Sequence, residues 1–272
     1  MKNDRQSAAS CPACSASEAS TVAAWSDWER EAAARDDGPM RIASAEASGY
    51  AARKPDFSRC LTCRSVYLHP LPDAKELAAF YQNYHRTGDF VRKAEKKVAR
   101  AWRRIAFLRH RAPGKKFLEI GANIGAGAEA ARRLGFSATA IEPDKEASSA
   151  GEALFSEVRH VAGMLEDLAP QEQFDFIYMA EVIEHVPDPL AFMKRVASHM
   201  APGAILFATT PDAGHWRTPN NIMSYKSMIP PEHVVLFTQT GLRALFERAG
   251  LKQVRFRPHL KPGIRVTAVK SN

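Results

Sequence analysis

The sequence has no apolar run that approaches the roughly 18 residues of a membrane-spanning helix. Its first residues, MKNDRQSAASCPAC, lack the apolar core of a secretory signal peptide, so we expect a cytoplasmic protein with no membrane partner. Only four cysteines occur in 272 residues, and in a reducing compartment they are not expected to form disulfides. A hydrophobic content of 45% and a charged content of 25% are typical of a globular protein.

Acidic residues are scarce in one segment, which is therefore strongly basic. From Arg86 to Lys116 twelve lysines and arginines face only two acids. Apolar residues recur there at helical spacing and predict an amphipathic helix; they are Val91, Ala94, Val98, Trp102, Ile105 and Leu108. A solvated helix packed on the core by this stripe is the favoured interpretation, and a surface for nucleic acid or another polyanion is the alternative.

Apolar segments alternate with helical patterns from Lys115 onward. The five predicted strands are KKFLEIG, SATAIE, EVRHVA, FDFIYM and GAILFATT, and QVRFRP and GIRVTAV follow as a hairpin. The repeated βα units predict an α/β, Rossmann-like fold with a mostly parallel seven-stranded sheet and an antiparallel edge hairpin. We expect three parts: a small N-terminal domain over 1–72, a helical linker or lid with the basic helix over 73–114, and a ligand-binding domain over 115–272.

The segment LEIGANIGAG is a junction of strand, glycine loop and helix, where such sheets bind ligands. Its glycines, Gly121, Gly125 and Gly127, do not have the G-x-G-x-x-G spacing of dinucleotide-binding proteins. Glu119 would repel a pyrophosphate but suits a positively charged ligand. Glu142 ends the next strand, where a carboxylate can accept hydrogen bonds from ribose hydroxyls. A cation and a ribose together suit S-adenosylmethionine.

These segments, together with IEPD, GMLEDL and FDFIYMAEVIEH, resemble class I S-adenosylmethionine-dependent methyltransferases from Lys115 to the end of the chain. The residues that by this resemblance hold the methionine end of the cofactor are Glu119, Gly121, Asn123 and Gly125. The resemblance also implies that Glu142 binds the ribose and that Met164 and Leu165 flank the adenine. Ala180 and Glu181 are expected beside the cofactor.

The cysteines form two CxxC pairs, Cys11/Cys14 and Cys60/Cys63. Four thiolates make a closed tetrahedral zinc site, which we interpret as structural because no coordination position stays open. Zinc would supply folding energy to an N-terminal part with too little apolar content for a good core; free or redox-active cysteines are the alternative. A zinc-binding part followed by YLHPLPDAKELAAFYQNY resembles bacterial methyltransferases with an N-terminal zinc-binding domain, including sugar C-methyltransferases. Tyr81 and Tyr84 in this segment either reach over the ligand site or pack.

The segment MAEVIEHVPDP follows the fourth predicted strand and contains Glu181, Glu184 and His185. At spacings i, i+3 and i+4, one helical turn would direct all three side chains the same way. Three roles stay open for them: ligands of Mg²⁺ or another divalent metal, general base catalysis, and structural support of the turn.

The E-x-x-E-H pattern is similar to that of ubiquinone-pathway O-methyltransferases and of small-RNA 3′-terminal 2′-O-methyltransferases, where it belongs to a metal site. That resemblance implies a further histidine, and PPEHVVLF supplies His233. The resemblance to the sugar C-methyltransferases instead implies that His233 acts as the general base. The candidate catalytic residues are therefore Glu184, His185 and His233, and Glu181 completes the candidate metal site. The other histidines that lack such placement are expected at the surface; they are His110, His160, His199 and His215.

The sequence thus predicts a methyltransferase that acts on an O or C nucleophile of a small-molecule acceptor, such as a sugar or a secondary metabolite. One alternative is an RNA 2′-O-methyltransferase, which the basic helix and the metal-site pattern favour. The other is an inactive methyltransferase fold that serves as a zinc-dependent binding module. The oligomeric state is not indicated by any feature of the sequence.

Overall fold

The computed structural model describes residues 10–82 and 91–271. Tyr84 and the first part of the basic segment, 86–90, lie outside the described residues. Two β-sheets are present in this part of the chain. The strands are β1 (Ala19–Ala24), β2 (Asp56–Cys60), β3 (Val66–His69), β4 (Lys116–Ile120), β5 (Ser137–Glu142), β6 (Arg159–Ala162), β7 (Phe174–Ala180), β8 (Met200–Pro211), β9 (Val235–Leu236), β10 (Leu251–Phe256) and β11 (Gly263–Lys270).

Four of the eight α-helices in the described residues begin at a side chain that caps them; the caps are Asp73, Asp144, Asp188 and Thr238. Asp188 accepts a hydrogen bond from the Ala191 N–H, and Pro189 occupies the first helical position, where proline is favoured. The α-helices are α1 (Trp25–Ala33), α2 (Gly38–Ala47), α3 (Ala74–Gln82), α4 (Ala94–Leu108), α5 (Ala126–Arg133), α6 (Lys145–Leu154), α7 (Pro189–Ser198) and α8 (Gln239–Arg248).

The larger sheet confirms the predicted fold. It has seven strands in the order β10-β11-β8-β7-β4-β5-β6, with β8 through β6 parallel. Strands β10 and β11 form an antiparallel hairpin, which joins the sheet antiparallel to β8. Because the parallel strands all end at one edge, the segments after β4, β5, β7 and β8 meet there.

The smaller sheet contains strands from both halves of the sequence. Its order is β1-β2-β3-β9, so three strands from the N-terminal part are completed by Val235–Leu236. The expectation of a poor N-terminal core is wrong, because Trp28, Tyr50 and Phe57 are at most 1% exposed. Aromatic side chains, absent from the Ala/Ser-rich middle but spaced around it, provide this core. The predicted boundary at residue 72 stays a prediction.

Helix α4 is amphipathic, as predicted, but its buried residues differ in part from the predicted ones. Ala101 is buried, whereas Trp102 is 44% exposed and Val91 is 40% exposed. Helix α4 packs against α5, and Ala101 belongs to its buried face whereas Trp102 does not. Over 10–82 and 91–271, no helix combines the length and the apolar character that crossing a bilayer requires.

Candidate active site

The glycine loop joins β4 to α5 through three residues with left-handed backbone. Gly121 has φ +64°, Asn123 has φ +50° and Gly125 has φ +75°. Asparagine tolerates this region better than most residues, which explains Asn123 between the two glycines. A Cβ at Gly121 would lie 2.5 Å from Val182, so the loop also passes close to the segment after β7.

Glu119, at the end of β4, is buried beneath this loop. Its Oε2 accepts a hydrogen bond from the Ala128 N–H at 2.7 Å, so it anchors the first turn of α5. Burial raises the pKa of Glu119 to about 8. A positive charge placed at the loop would lower this pKa and favour the ionised carboxylate, so the role of Glu119 at a cationic ligand stays a prediction.

Gly127 allows the Glu119 carboxylate to reach the helix. A Cβ at position 127 would lie 2.4 Å from Oε1 of Glu119. We expect Gly127→Ala to displace the loop and to weaken S-adenosylmethionine binding about tenfold, since overpacking a filled site costs about 1–3 kcal/mol. Calorimetric titration with the cofactor measures this. Gly263→Ala, where the nearest heavy atom would lie 3.7 Å away, is the control, and equal affinities of the two variants would contradict the expectation.

The same burial gives Glu119 a measurable effect on stability. Because the folded-state pKa is raised to about 8, the folded chain holds this proton between the unfolded pKa of about 4.3 and pH 8. The contribution is complete below pH 4 and is lost as the pH rises through 8, at up to about 1.4 kcal/mol per pH unit. Urea unfolding of the cofactor-free protein between pH 5 and 9 should show a shallower decline for Glu119→Gln. Parallel pH profiles would contradict this expectation.

Glu142 lies at the end of β5, beside the glycine loop. Its Oε2 accepts from the Asn123 N–H at 2.7 Å and its Oε1 from the Asp144 N–H at 3.0 Å. Burial raises its pKa. After β6, Met164 is 56% exposed and Leu165 is buried, so only the methionine side chain has a free face for an adenine.

The segment after β7 differs from the predicted single helical turn. A 3₁₀ turn spans Ile183–His185 only, and Glu181 precedes it with φ +57°. Ala180 is the last residue of β7, half-buried at the strand end. Glu181 therefore lies outside the 3₁₀ turn, and its Oε1 accepts a hydrogen bond from the Thr209 hydroxyl at 2.7 Å.

Glu184 is buried at the centre of the site. Its Oε2 accepts from the Thr210 hydroxyl at 2.9 Å, whereas its Oε1 has no hydrogen-bond partner in the described residues. Burial, followed by the nearby Glu181 carboxylate, raises the pKa of Glu184 well above its usual value. A buried carboxylate oxygen without a donor is costly unless a cation compensates it.

Two histidines complete this cluster. Glu184, His185 and His233 each offer one ligand atom, and these three atoms lie within 4.8 Å of one another. The rings of His185 and His233 meet edge to face, with centroids 4.6 Å apart. His233 Nδ1 donates to the Ser227 carbonyl at 2.8 Å, which leaves Nε2 unprotonated. The Tyr81 hydroxyl lies 3.1 Å from His185 Nδ1.

Burial keeps both imidazoles neutral. It lowers the pKa of His185, and it lowers the pKa of His233 well below the usual value, with His185 and Arg41 adding to the effect. Neutral imidazole is the form that binds metals and accepts protons. Glu181 is not one of the three clustered ligands, so its place in the metal site stays a prediction.

The four cysteines also converge. The Cys11 and Cys63 sulfurs are 3.7 Å apart, and those of Cys14 and Cys60 are 3.6 Å apart. Two thiolates bound to one zinc at about 2.3 Å in a tetrahedron would be about 3.8 Å apart, so the residues fit this metal. A hydrogen bond from Cys11 lowers the pKa of Cys63 to about 5. No disulfide joins these four cysteines.

The comparison that decides the family is a match of the methyltransferase-domain family to residues 90–255, more than half of the chain. The chain belongs to the class I S-adenosylmethionine-dependent methyltransferases.

Relatives of this methyltransferase are named ubiquinone biosynthesis O-methyltransferases. One from Xanthomonas campestris pv. campestris is 38% identical over 104 residues, which are 36% of this chain and 44% of the relative. One from Rhodopseudomonas palustris is 35% identical over 102 residues, 36% of this chain and 40% of the relative. The chain thus matches less than half the length of these curated relatives.

Solved structures share the fold. A chain in the complex of the Haloferax volcanii Trm112 methyltransferase activator with a methyltransferase is 13% identical, with a TM-score of 0.54 over 70% of this chain and 99% of that chain. A S-adenosylmethionine-dependent methyltransferase from Clostridium acetobutylicum is 10% identical, with a TM-score of 0.51 over 65% of this chain and 92% of that chain.

Sequence reasoning missed the side chains that orient the acidic turn of the methyltransferase. Thr209 donates to Glu181, and Thr210 donates to Glu184. Two adjacent hydroxyls at the end of the predicted strand that pairs with β7 were the sequence feature that could have indicated these contacts. The surface prediction for His199 is wrong, because this side chain is fully buried with its Nδ1 2.8 Å from the Glu172 carbonyl. His160 is half-buried against Gly125.

Proposed function

We propose that the methyltransferase methylates a hydroxyl oxygen of a small molecule, and that Glu184, His185 and His233 hold a divalent metal ion at the reacting hydroxyl. The observation that carries this proposal is the buried Glu184 Oε1, which has no hydrogen-bond donor among the described residues and lies beside two neutral imidazoles. One carboxylate and two imidazoles suit Mg²⁺, Mn²⁺, Fe²⁺ or Zn²⁺. Such an ion would lower the pKa of a bound hydroxyl and orient vicinal hydroxyls.

The protein's own groups prepare this site in three ways. Ser227 fixes the tautomer of His233, so that Nε2 presents a lone pair. Thr210 orients Glu184 and leaves Oε1 for the ion. The Tyr81 hydroxyl accepts a hydrogen bond from His185 Nδ1–H when His185 binds the ion through Nε2. These contacts hold the donor atoms before substrate binds, which favours in-line transfer by positioning.

A second candidate mechanism uses His233 as the general base without a metal. Its Nδ1–H is held by Ser227, and its lowered pKa keeps Nε2 free of a proton at neutral pH. A base in this state can take the proton of a hydroxyl or a carbon acid. This candidate also accommodates C-methylation.

The cofactor lies across the carboxyl ends of β4, β5 and β7 in this proposal. Glu119 and the loop of Gly121, Asn123 and Gly125 face the methionine end, and the buried Asn123 Oδ1, which lacks a partner in the described residues, supports a polar ligand there. Glu142 binds the ribose. The residues beside the adenine and the sulfonium are Met164, Leu165, Ala180 and Glu181.

The cysteine cluster holds a structural zinc ion. Four thiols in contact need a reducing compartment to stay available, which supports the cytoplasm as the place of action. The zinc-filled cluster then has no open coordination position and takes no part in methyl transfer.

The acceptor is a small molecule, and a sugar or a secondary metabolite with adjacent hydroxyls is the favoured class. The name of the relatives, ubiquinone biosynthesis O-methyltransferase, supports a hydroxyl acceptor. RNA is the competing acceptor because helix α4 presents several basic side chains to solvent.

The proposal is tested by incubating the purified protein with methyl-deuterated cofactor and separate acceptors: a catechol, a panel of sugars, and an oligoribonucleotide. We expect a deuterated O-methyl group on at least one small acceptor, detected by mass spectrometry. Transfer only to the oligoribonucleotide, with a steep inverse dependence on salt, would identify the RNA enzyme and overturn the small-molecule proposal.

A further inference from the structure

His233 belongs to a segment that contacts the N-terminal part of the chain at several positions along its length. The segment runs from the 3₁₀ turn Ile222–Ser224 to strand β9, with His233 just before β9. It contains the Ser227 carbonyl that accepts from His233 Nδ1. The position of this histidine therefore depends on the backbone between residues 223 and 234, which we call the histidine loop.

Arg35, just after α1, binds three carbonyls of the histidine loop. Its guanidinium donates to the Met223 carbonyl at 2.6 Å, to the Met228 carbonyl at 3.0 Å and to the Tyr225 carbonyl at 3.2 Å. Trp28 Nε1 donates to the same Met228 carbonyl at 3.2 Å. These accepting carbonyls lie on both sides of Ser227, so Arg35 fixes the residue that sets the tautomer of His233.

Arg41, in α2, fixes the other end of the histidine loop. Its Nη1 lies 2.6 Å from Glu232 Oε2, and its Nε lies 2.8 Å from Asp37. The Arg41 side chain is only 4% exposed and that of Glu232 is 14% exposed. Removing one partner of a charge pair this well buried would leave an uncompensated charge next to His233, so the pair constrains where the Glu232 side chain lies.

The chain beyond His233 is bound by the cysteine-bearing sheet. The Leu68 N–H donates to the Val234 carbonyl at 3.1 Å, where β3 meets β9. The Thr238 hydroxyl donates to the carbonyl of Cys63, one of the clustered cysteines. His233 thus lies between two attachments to the N-terminal part.

We propose that Arg35 and Arg41 are positioning residues for His233, so that the N-terminal part completes the acceptor side of the active site. This inference rests on the proposed role of His233 in the site. Loss of either arginine frees the histidine loop, the Ser227 carbonyl leaves Nδ1, and Nε2 no longer stays aligned with Glu184 and His185. Contacts that orient a ligating histidine in this way are typically worth about 10- to 100-fold in metal affinity.

The experiment compares Arg35→Gln, Arg35→Lys and the double variant Arg41→Gln/Glu232→Gln with the wild-type protein, all loaded with zinc and S-adenosylhomocysteine. The double variant avoids an unpaired buried Glu232. Arg53→Gln is the matched control, because Arg53 binds Glu76 at 2.9 Å inside the N-terminal part and does not contact the histidine loop. Mn²⁺ affinity is measured by calorimetry, and the His233 tautomer is measured by ¹⁵N NMR.

We expect Mn²⁺ affinity to fall about 10- to 100-fold in Arg35→Gln and in the double variant, with partial recovery in Arg35→Lys and no change in Arg53→Gln. The single Nδ1–H tautomer of His233 should become a mixture, while the KM for S-adenosylmethionine stays unchanged and kcat falls. Wild-type tautomer and wild-type Mn²⁺ affinity in both altered proteins would overturn the inference. If the wild-type protein binds no Mn²⁺, the proposed metal site fails, and the tautomer measurement alone decides the positioning role.

Discussion

Glu184→Gln is expected to lower kcat by about 100- to 10,000-fold, the range that loss of a metal or a proton-transfer group produces. The substitution replaces one carboxylate oxygen by an amide nitrogen and removes the negative charge that would neutralise a cation. The remaining oxygen can keep the contact with the Thr210 hydroxyl. The glycine loop and Glu142 belong to other strands, so the affinity for S-adenosylmethionine should change less than about twofold. Steady-state kinetics and cofactor titration measure the two quantities.

His233→Ala should lose a similar factor, because it removes the one imidazole whose Nε2 is preset by Ser227. Glu152→Gln, an exposed carboxylate on α6, is the control and should retain full activity. Wild-type kcat in Glu184→Gln would contradict the metal site and leave His233 as the base. Wild-type kcat in both variants would show that neither Glu184 nor His233 takes part in catalysis.

Cys60→Ser is expected to lower thermal stability more than any other single change in the N-terminal part. Structural zinc supplies about 10–16 kcal/mol of folding free energy in zinc-finger peptides, and the loss of one thiolate removes much of it. Even a loss of about 3 kcal/mol would lower Tm by about 5 °C in a chain of this size. Cys60 ends β2, so the defect should spread through the smaller sheet to β9.

Calorimetry and metal analysis test this expectation together. Wild-type protein should contain one zinc ion per chain, and Cys60→Ser should contain less than one. Thr62→Ala, an exposed change in the same CLTC loop, should keep both the zinc and the wild-type Tm. A wild-type protein that purifies fully folded without zinc, or a Cys60→Ser variant with unchanged Tm, would show that the cluster does not stabilise the fold.

The larger sheet was predictable because its signals are local. The apolar strand segments, the glycine loop and the Asp188–Pro189 helix start each depend on neighbours in sequence. The cysteine pairs could also be matched, since CxxC spacing restricts the ligands of one metal. These features needed no knowledge of distant contacts.

Long-range contacts were not predictable in this way. The pairing of β3 with β9 joins residues about 170 positions apart, and two residues of β9 carry no strand signal of their own. The buried face of α4 includes Ala101 and not the predicted Trp102, and this face is set by the packing of α4 against α5. Glu181 lies outside the predicted helical turn, with left-handed backbone and a hydrogen bond from Thr209 of the neighbouring strand β8, a contact that local spacing does not encode.

The most direct test of the central claim is the binding of Mn²⁺ to the Glu184–His185–His233 cluster. The measurement is a calorimetric titration of zinc-loaded protein with bound S-adenosylhomocysteine, in wild-type and Glu184→Gln forms. We predict one Mn²⁺ site per chain in the wild-type protein and none in Glu184→Gln. No Mn²⁺ site in the wild-type protein, or equal binding by both forms, would contradict the metal-assisted methyl transfer proposed for this enzyme.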